Sequence, residues 1–209
     1  MLTETLPLPT ITRQKISFAE FLAICPEDGN YELIQGEIIN IRNRRDHDNI
    51  ASALMFLFYD ETKRLKLDYI SGNRLVIKTG EYQGRKPDVS IVQKSVYNAD
   101  VNTYDALTTP LQLAVEIVSN NWEDDYEDKL NEYQQLGIFE YWIVDYLAQG
   151  SRQILGNPKI PTIFIYHLVD GIYQLQSFRD NEQIISPTFP ELVVTVKQIF
   201  LASETGEIN

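Results

Sequence analysis

Cysteine is nearly absent from this 209-residue chain, where Cys25 stands alone. A single thiol excludes an intrachain disulfide and a cysteine-built zinc cluster, and a reducing cytoplasm is the simplest compartment. Long apolar runs are missing too. "FLAIC" is far short of the roughly 18 residues that span a bilayer, so no membrane is expected. The N-terminal stretch lacks a basic region followed by an apolar one and does not read as a signal peptide. Basic residues are scarce, with 18 Lys and Arg against 30 Asp and Glu and a net charge of −12. That balance argues against non-specific binding to nucleic acid through phosphates. It does not exclude a nuclease, because a metal-dependent site is itself built of carboxylates and basic residues can cluster locally. "IRNRRDHDN" holds Arg42, Arg44 and Arg45, and "GRKPD" sets Arg85 and Lys86 beside a candidate site. For each run taken alone, solvated surface charge is an equal reading.

What is present reads as one domain. Residues 1–12, with Pro7 and Pro9, form an extended tail, residues 13–202 the domain and 203–209 a C-terminal tail. "SFAEFLAIC" opens with a capping box, Ser17 to Glu20, and predicts a short helix. "YELIQGEIINI" predicts two strands joined by the turn Gln35-Gly36. "DHDNIASALMFLFYDETKRLKL" predicts a long helix with Ile50, Leu54, Leu57 and Phe58 on its apolar stripe. "NRLVIKT" and "KPDVSIV" read as strands around a polar turn containing Gly80 and Gly84, and residues 93–110 as a loop. "LQLAVEIVS" and "FEYWIVD" are core strands. Between them "NWEDDYEDKLNEYQQLG" is a helix ended by Gly137. "IFIYHLVDGIYQLQSF" is a hairpin on Asp170-Gly171, and "LVVTVKQIF" closes the domain. The expectation is an α/β or α+β fold, a mixed sheet with flanking helices and a C-terminal hairpin.

Within "LAVEIVSNNW", Glu116 is surrounded by apolar residues. A lone ionised carboxylate there costs several kcal/mol, so Glu116 needs a basic side chain, a hydrogen-bond network or a metal ion. "KPDVSIV" carries a second strand acid, Asp88. Neighbouring strands lie about 4.8 Å apart, so if these two pair, both carboxylates can hold one Mg²⁺ or Mn²⁺. In the following helix the stripe Trp122, Tyr126, Tyr133, Leu136 also selects Lys129, on the face that meets the sheet. Its ammonium either reaches the carboxylates and stabilises charge on a phosphate or carries its head out to water. In the N-terminal hairpin Ile34 pairs with Glu37 and Glu32 with Ile39, which places Glu32 and Glu37 on one face. They add a metal ligand or orient Lys129, or they are edge charges that discourage aggregation. His47, before Ile50, is a general base or phosphate contact, or a cap or packing residue. His167 reads as structural, Tyr141 and Trp142 as core or interface. Ser119 has no histidine placed to activate it.

"YELIQGEI", Asp46-His47 before the long helix, "PDVSIV", "LAVEIVS" and the series from Asp125 and Lys129 to "LGIFEYWIVD" resemble the putative restriction endonuclease family abundant in cyanobacteria. That family is a branch of the PD-(D/E)XK nucleases, and the match runs from about Ser17 to Phe200. The resemblance implies a restriction-endonuclease-like core and metal-dependent hydrolysis of phosphodiester bonds, with nucleic acid, DNA foremost, as partner. Pro87-Asp88 matches the PD step and Glu116 the next acid. Two residues after Glu116 stands Val118 where the superfamily has lysine; in this branch the lysine has moved to the following helix, and Lys129 matches it. Asp125, one turn earlier on the same face, can pair with it. Asp88 and Glu116, with the Ile117 carbonyl, would hold Mg²⁺, Lys129 would act on the water or phosphorus, and Glu37 or Glu32 would complete the shell. A homodimer is expected, since nucleases that cut both strands pair two sites and "EYWIVD" is rich in aromatics. The rival readings are an inactive nuclease-fold binding module and a hydrolase of another phosphoester.

Overall fold

The structure is a computed structural model, which describes residues 14–26, 29–73, 75–99 and 106–208. The expected tail 1–12 lies outside these. Along the chain run α1 (Phe18–Ile24), β1 (Tyr31–Ile34), β2 (Glu37–Asn40), α2 (Arg45–Arg64), β3 (Tyr69–Gly72), β4 (Val76–Gly80), β5 (Gln83–Arg85) and β6 (Val89–Gln93). Then follow α3 (Lys94–Ala99), β7 (Ala106–Leu107), β8 (Leu113–Ile117), a π-helical turn (Asp124–Asp128) and α4 (Lys129–Leu136). The chain closes with β9 (Glu140–Asp145), α5 (Arg152–Leu155), β10 (Thr162–Val169), β11 (Ile172–Phe178) and α6 (Val196–Thr205).

The strands form two mixed sheets. One has the order β2-β1-β5-β4-β7, the other β11-β10-β9-β8-β6-β3. In the larger, β8 and β9 are parallel while β6 runs antiparallel to β8. Side chains of a strand alternate between faces, so Ile91, Val115 and Trp142 meet Ile50, Leu54 and Phe58 of α2 and Ile199 of α6. Val92, Ala114, Tyr141 and Ile143 face the other way and meet Tyr126 and Tyr133. α4 thus lies between the sheets: Tyr133 packs on the larger, and Glu132 reaches Thr79, Gln83 and Arg85 of the smaller.

Local chemistry explains most boundaries. Ser17 and Glu20 form the capping box of α1, with Glu20 Oε2 accepting the Ser17 N–H at 2.7 Å. Both two-residue turns have left-handed backbone, Gln35 and Gly36 at φ 51° and 83° and Asp170 and Gly171 at φ 49° and 79°. That geometry suits the twist of a hairpin. The register Ile34↔Glu37 and Glu32↔Ile39 is as the turn dictates.

Three expectations need correction. β3 and β5 are strands that the sequence reading does not contain, and β5 occupies the expected polar turn. Its Gln-Gly-Arg sequence has no apolar alternation, because the pairing partners β1 and β4 and not its own pattern define it. Residues 93–110 are not all loop: they hold α3 and β7, which are short, and α3 buries no side chain and so leaves no stripe to read. Finally, "EYWIVD" is β9, buried at every position between β8 and β10. It offers no surface to a second copy, so the aromatic argument for a homodimer fails.

β9 also anchors the C-terminal segment. Glu140, fully buried, accepts from Trp142 Nε1 (2.6 Å), Ser186 Oγ (2.8 Å) and the Thr188 N–H (2.7 Å). Burial raises its pKa, while these donors work the other way. Removing the carboxylate strands three buried donors, each costing about 1–3 kcal/mol. Glu140→Ala is therefore expected to lower unfolding free energy by about 3 kcal/mol or more in urea titration; a loss under about 1 kcal/mol would show that the segment is held by packing alone.

Candidate active site

The register Val89↔Val115, continued by one residue, sets Asp88 opposite Glu116. Both face the side of the large sheet covered by α4. Asp88 is 8% exposed and Glu116 3%. Asp88 Oδ2 accepts the Ile117 N–H at 2.9 Å and lies 3.1 Å from His47 Nε2, while Asn43 Nδ2 reaches Oδ1 at 3.3 Å. Burial would raise the Asp88 pKa, but the His47 hydrogen bond and charge outweigh it and hold the carboxyl below its ordinary value.

The partner of Glu116 is visible in the geometry. Lys129 Nζ lies 2.9 Å from Oε2, and the Tyr133 hydroxyl donates to Oε1 at 2.6 Å. Lys129 also meets Asp125 Oδ1 at 3.0 Å, and Glu32 Oε1 stands 4.0 Å away. Only 7% of the lysine is exposed, so its head does not reach water as the packing alternative required. Burial disfavours the ammonium, yet Asp125, Glu116, Glu32 and Asp124 outweigh that and raise its pKa, so it carries charge.

The π-helical turn explains why the helix can present this set. The Lys129 N–H bonds to the Asp124 carbonyl, five residues back, so one extra residue is held within the turn. Asp125, Tyr126 and Lys129 are all buried as a result, and Tyr141 Oη donates to the Asp125 carbonyl at 2.9 Å. Insertions of this kind are frequent at functional sites.

Beneath the lysine lies a second cation. Arg85, 0% exposed, meets Glu32 (3.3 Å), Asp124 (3.0 Å) and Glu132 (2.6 Å). It is a support, enclosed by acids and not placed to touch a substrate, and the reading of it as solvated charge is overturned. Lys86, half-buried, contributes its backbone N–H to Glu32 Oε1 at 3.0 Å. The structure also separates the two hairpin acids. Glu32 is buried in the cluster; Glu37 is exposed, at the start of β2, which is the edge strand of its sheet. His47 neither caps α2 nor merely packs. Its pKa stands above the ordinary value, since Asp88, Asp48 and Asp125 outweigh the effect of burial.

Asp88, Glu116, Lys129, Asp125, Glu32 and His47 thus come together, with Arg85 behind them. Tyr133, Asn43, Asp124 and Glu132 belong to the same cluster and were not foreseen as partners. Tyr133 had a signal, one turn from Lys129 on the same stripe. The acids of an acidic helix and an asparagine in a connecting segment had none.

Six carboxylates (Glu32, Asp88, Glu116, Asp124, Asp125, Glu132) face three bases (His47, Arg85, Lys129) in this cluster. The surplus shows in the titration. Burial and neighbouring acids raise Glu116 well above its ordinary range in spite of Lys129, and burial pushes Asp125 up to about 6. Among the described residues no three His, Cys, Asp or Glu stand in a metal-ligating group.

Two acids on neighbouring strands, Asp88 and Glu116, and a helix lysine, Lys129, thus lie on one face of the large sheet. The structure is similar to that of a putative nuclease of the DUF820 group from Anabaena variabilis, with a TM-score of 0.71 and 19% identity, covering 90% of this chain and 99% of the other. The Uma2 family model, described as "Putative restriction endonuclease", matches residues 18–197, and the chain belongs to that family. No curated protein matches it significantly. No helix among the described residues is long and apolar enough to cross a membrane.

The raised Asp125 pKa has a stability consequence. Between pH about 4 and about 6 the folded chain keeps a proton on Asp125 that the unfolded chain has lost. Where the folded state binds more protons, stability falls as pH rises. Asp125→Asn cannot ionise and lacks that fall. Its stability relative to the parent should therefore rise from about pH 4 to about pH 6 in parallel urea titrations; a difference independent of pH would contradict the assignment.

Proposed function

We propose that this chain is a metal-dependent nuclease that hydrolyses phosphodiester bonds of DNA, with Asp88, Glu116 and Lys129 as its central residues. The observation that carries the reading is Lys129, a buried ammonium 2.9 Å from the acid that stands opposite Asp88 on the neighbouring strand. A lysine held there by three acids, Glu116, Asp125 and Glu32, stabilises negative charge developing on a phosphate without reorganising at the moment of reaction. Membership of the family and the shared fold support the same activity.

The donor set, two carboxylates, has the hard oxygen chemistry that suits a divalent cation. Asp88 and Glu116 set carboxylate oxygens on one face, and the acid surplus leaves a deficit of positive charge beside them. Two carboxylates suit Mg²⁺ or Mn²⁺, which keeps several waters and seldom takes a complete protein cage. Asp88, Glu116 and the Ile117 carbonyl would hold the ion. Bound there it supplies charge against the scissile phosphate and makes a water more acidic. The protein does the remainder. His47 and Asn43 fix the Asp88 carboxylate, Tyr133 fixes Glu116, and Asp125 and Glu32 keep the ammonium of Lys129 charged and aimed.

A second reading has one observation in its favour. Glu116 is satisfied by Lys129 and Tyr133 with no ion at all, as in a binding module that keeps the fold without the chemistry. Calorimetric titration with Mn²⁺ separates the two. Binding of about one ion per chain, lost in Asp88→Ala, is expected; absence of binding in the parent favours the module. In a nuclease screen with Mg²⁺, Lys129→Ala should cut the rate by about 100-fold or more while remaining folded, since Glu116 and Asp125 can then take up protons. Full activity in that variant would remove the lysine from the mechanism.

A further inference from the structure

A recess of about 300 Å³ adjoins the site. His47, which holds Asp88 from its Nε2 side, lines it, and so do Val118 and Ser119, just past Glu116 on the same strand. Its other walls come from the chain between β2 and α2 and from the turn after β9, so it sits beyond the C-terminal ends of the parallel pair β8 and β9. Ligands of open α/β sheets characteristically bind at such strand ends.

Its chemistry differs from that of the rest of the molecule. Among the described residues no acid lines it, although the chain has 30 Asp and Glu and a net charge of −12. Arg42 and Arg44 are its charged groups besides His47, and four side-chain amides, Asn40, Asn120, Asn121 and Gln149, face it. Arg44 is tied to Asp46 at 2.9 Å, whereas Arg42 is exposed and makes no ion pair among the described residues. Ile39 and Leu147 add apolar surface. Cations, donor–acceptor amides and an apolar wall are what the phosphate, the Watson–Crick edge and the face of a single nucleotide require.

Size and burial narrow the substrate. A volume of about 300 Å³ lies at the lower end for small-ligand sites and suits one nucleotide. Asp88, Glu116 and Lys129 are each under one-tenth exposed, so a phosphate must come in with a strand that can bend into the recess. A duplex has first to unpair and unstack a nucleotide, at a cost in free energy that a single strand does not bear.

We propose that this recess is a nucleotide-binding subsite and that the substrate is single-stranded DNA, whose unpaired nucleotide beside the scissile phosphate occupies it. The proposal rests on the nuclease reading for its scissile phosphate but is tested by binding. A fluorescein-labelled mixed-sequence DNA 12-mer is titrated with the full chain by anisotropy, single-stranded and as blunt duplex, once with Mg²⁺ and once with EDTA. The variants are Ser119→Phe, which fills the recess from an exposed position, and Arg42→Glu, each checked for an unchanged melting temperature. At least tenfold tighter binding of the single strand is expected in one or both conditions, and each variant should weaken it at least tenfold. Equal or tighter binding of the duplex, no binding of either, or no effect of Ser119→Phe overturns the proposal. A gel of the same samples reports strand cleavage separately: binding without cleavage sinks the nuclease reading and leaves the subsite, whereas cleavage without single-strand preference does the reverse.

Discussion

The ion pair between Lys129 and Glu116 is the constraint on which the rest of the site turns. Neither group tolerates burial by itself, and each is held by a further ring of partners: Tyr133 on the acid, Asp125 and Glu32 on the lysine. Breaking a buried pair by removing one partner costs about 3–5 kcal/mol, while the intact pair contributes little net stability. The fold therefore gains little from the arrangement and accepts it. That cost makes sense for chemistry, where a fixed charge in a site shielded from water acts most strongly on a phosphate.

Arg85 extends the same logic one layer outward. It gathers Glu32, Asp124 and Glu132 from β1, the π-helical turn and α4, and so ties the small sheet to the helix that carries Lys129. Without a cation at that depth, three acids would crowd the lysine and compete for it. The acid surplus that remains is concentrated around Glu116 and Asp125, beside the place where Asp88 lies across the strand pair. Structure and electrostatics thus localise a deficit of positive charge at one point, next to a recess lined by Arg42, Arg44 and side-chain amides.

The local features of the sequence were legible because each has a local cause. Ser17 with Glu20 specifies a capped start, Gln35-Gly36 and Asp170-Gly171 specify left-handed turns, and the 3-4 spacing of Tyr126, Lys129 and Tyr133 specifies a face. β5 and α3 were hidden for the opposite reason. A three-residue strand is defined by its neighbours' backbones, and a helix that buries nothing has no stripe. "EYWIVD" misled on assembly, because apolar composition does not say whether the cover comes from this chain or another.

By itself the sequence set Glu116 and Asp88 on apolar strands and Lys129 on the helix face that meets the sheet, since strand alternation and helix period are properties of the backbone alone; that the Lys129 head is buried with the acids came from the structure. Only the tertiary structure decided who faces whom. It chose Glu32 over Glu37, because β1 is interior and β2 an edge. It turned Arg85 from a surface charge into a buried support, drew His47 to Asp88 across 41 positions of chain, and inserted the π-helical turn that buries Asp125 and Lys129 together. These choices depend on which segments the fold brings together, strand order for Glu32 and distant charged partners for Arg85 and His47, and no periodicity within a segment encodes that.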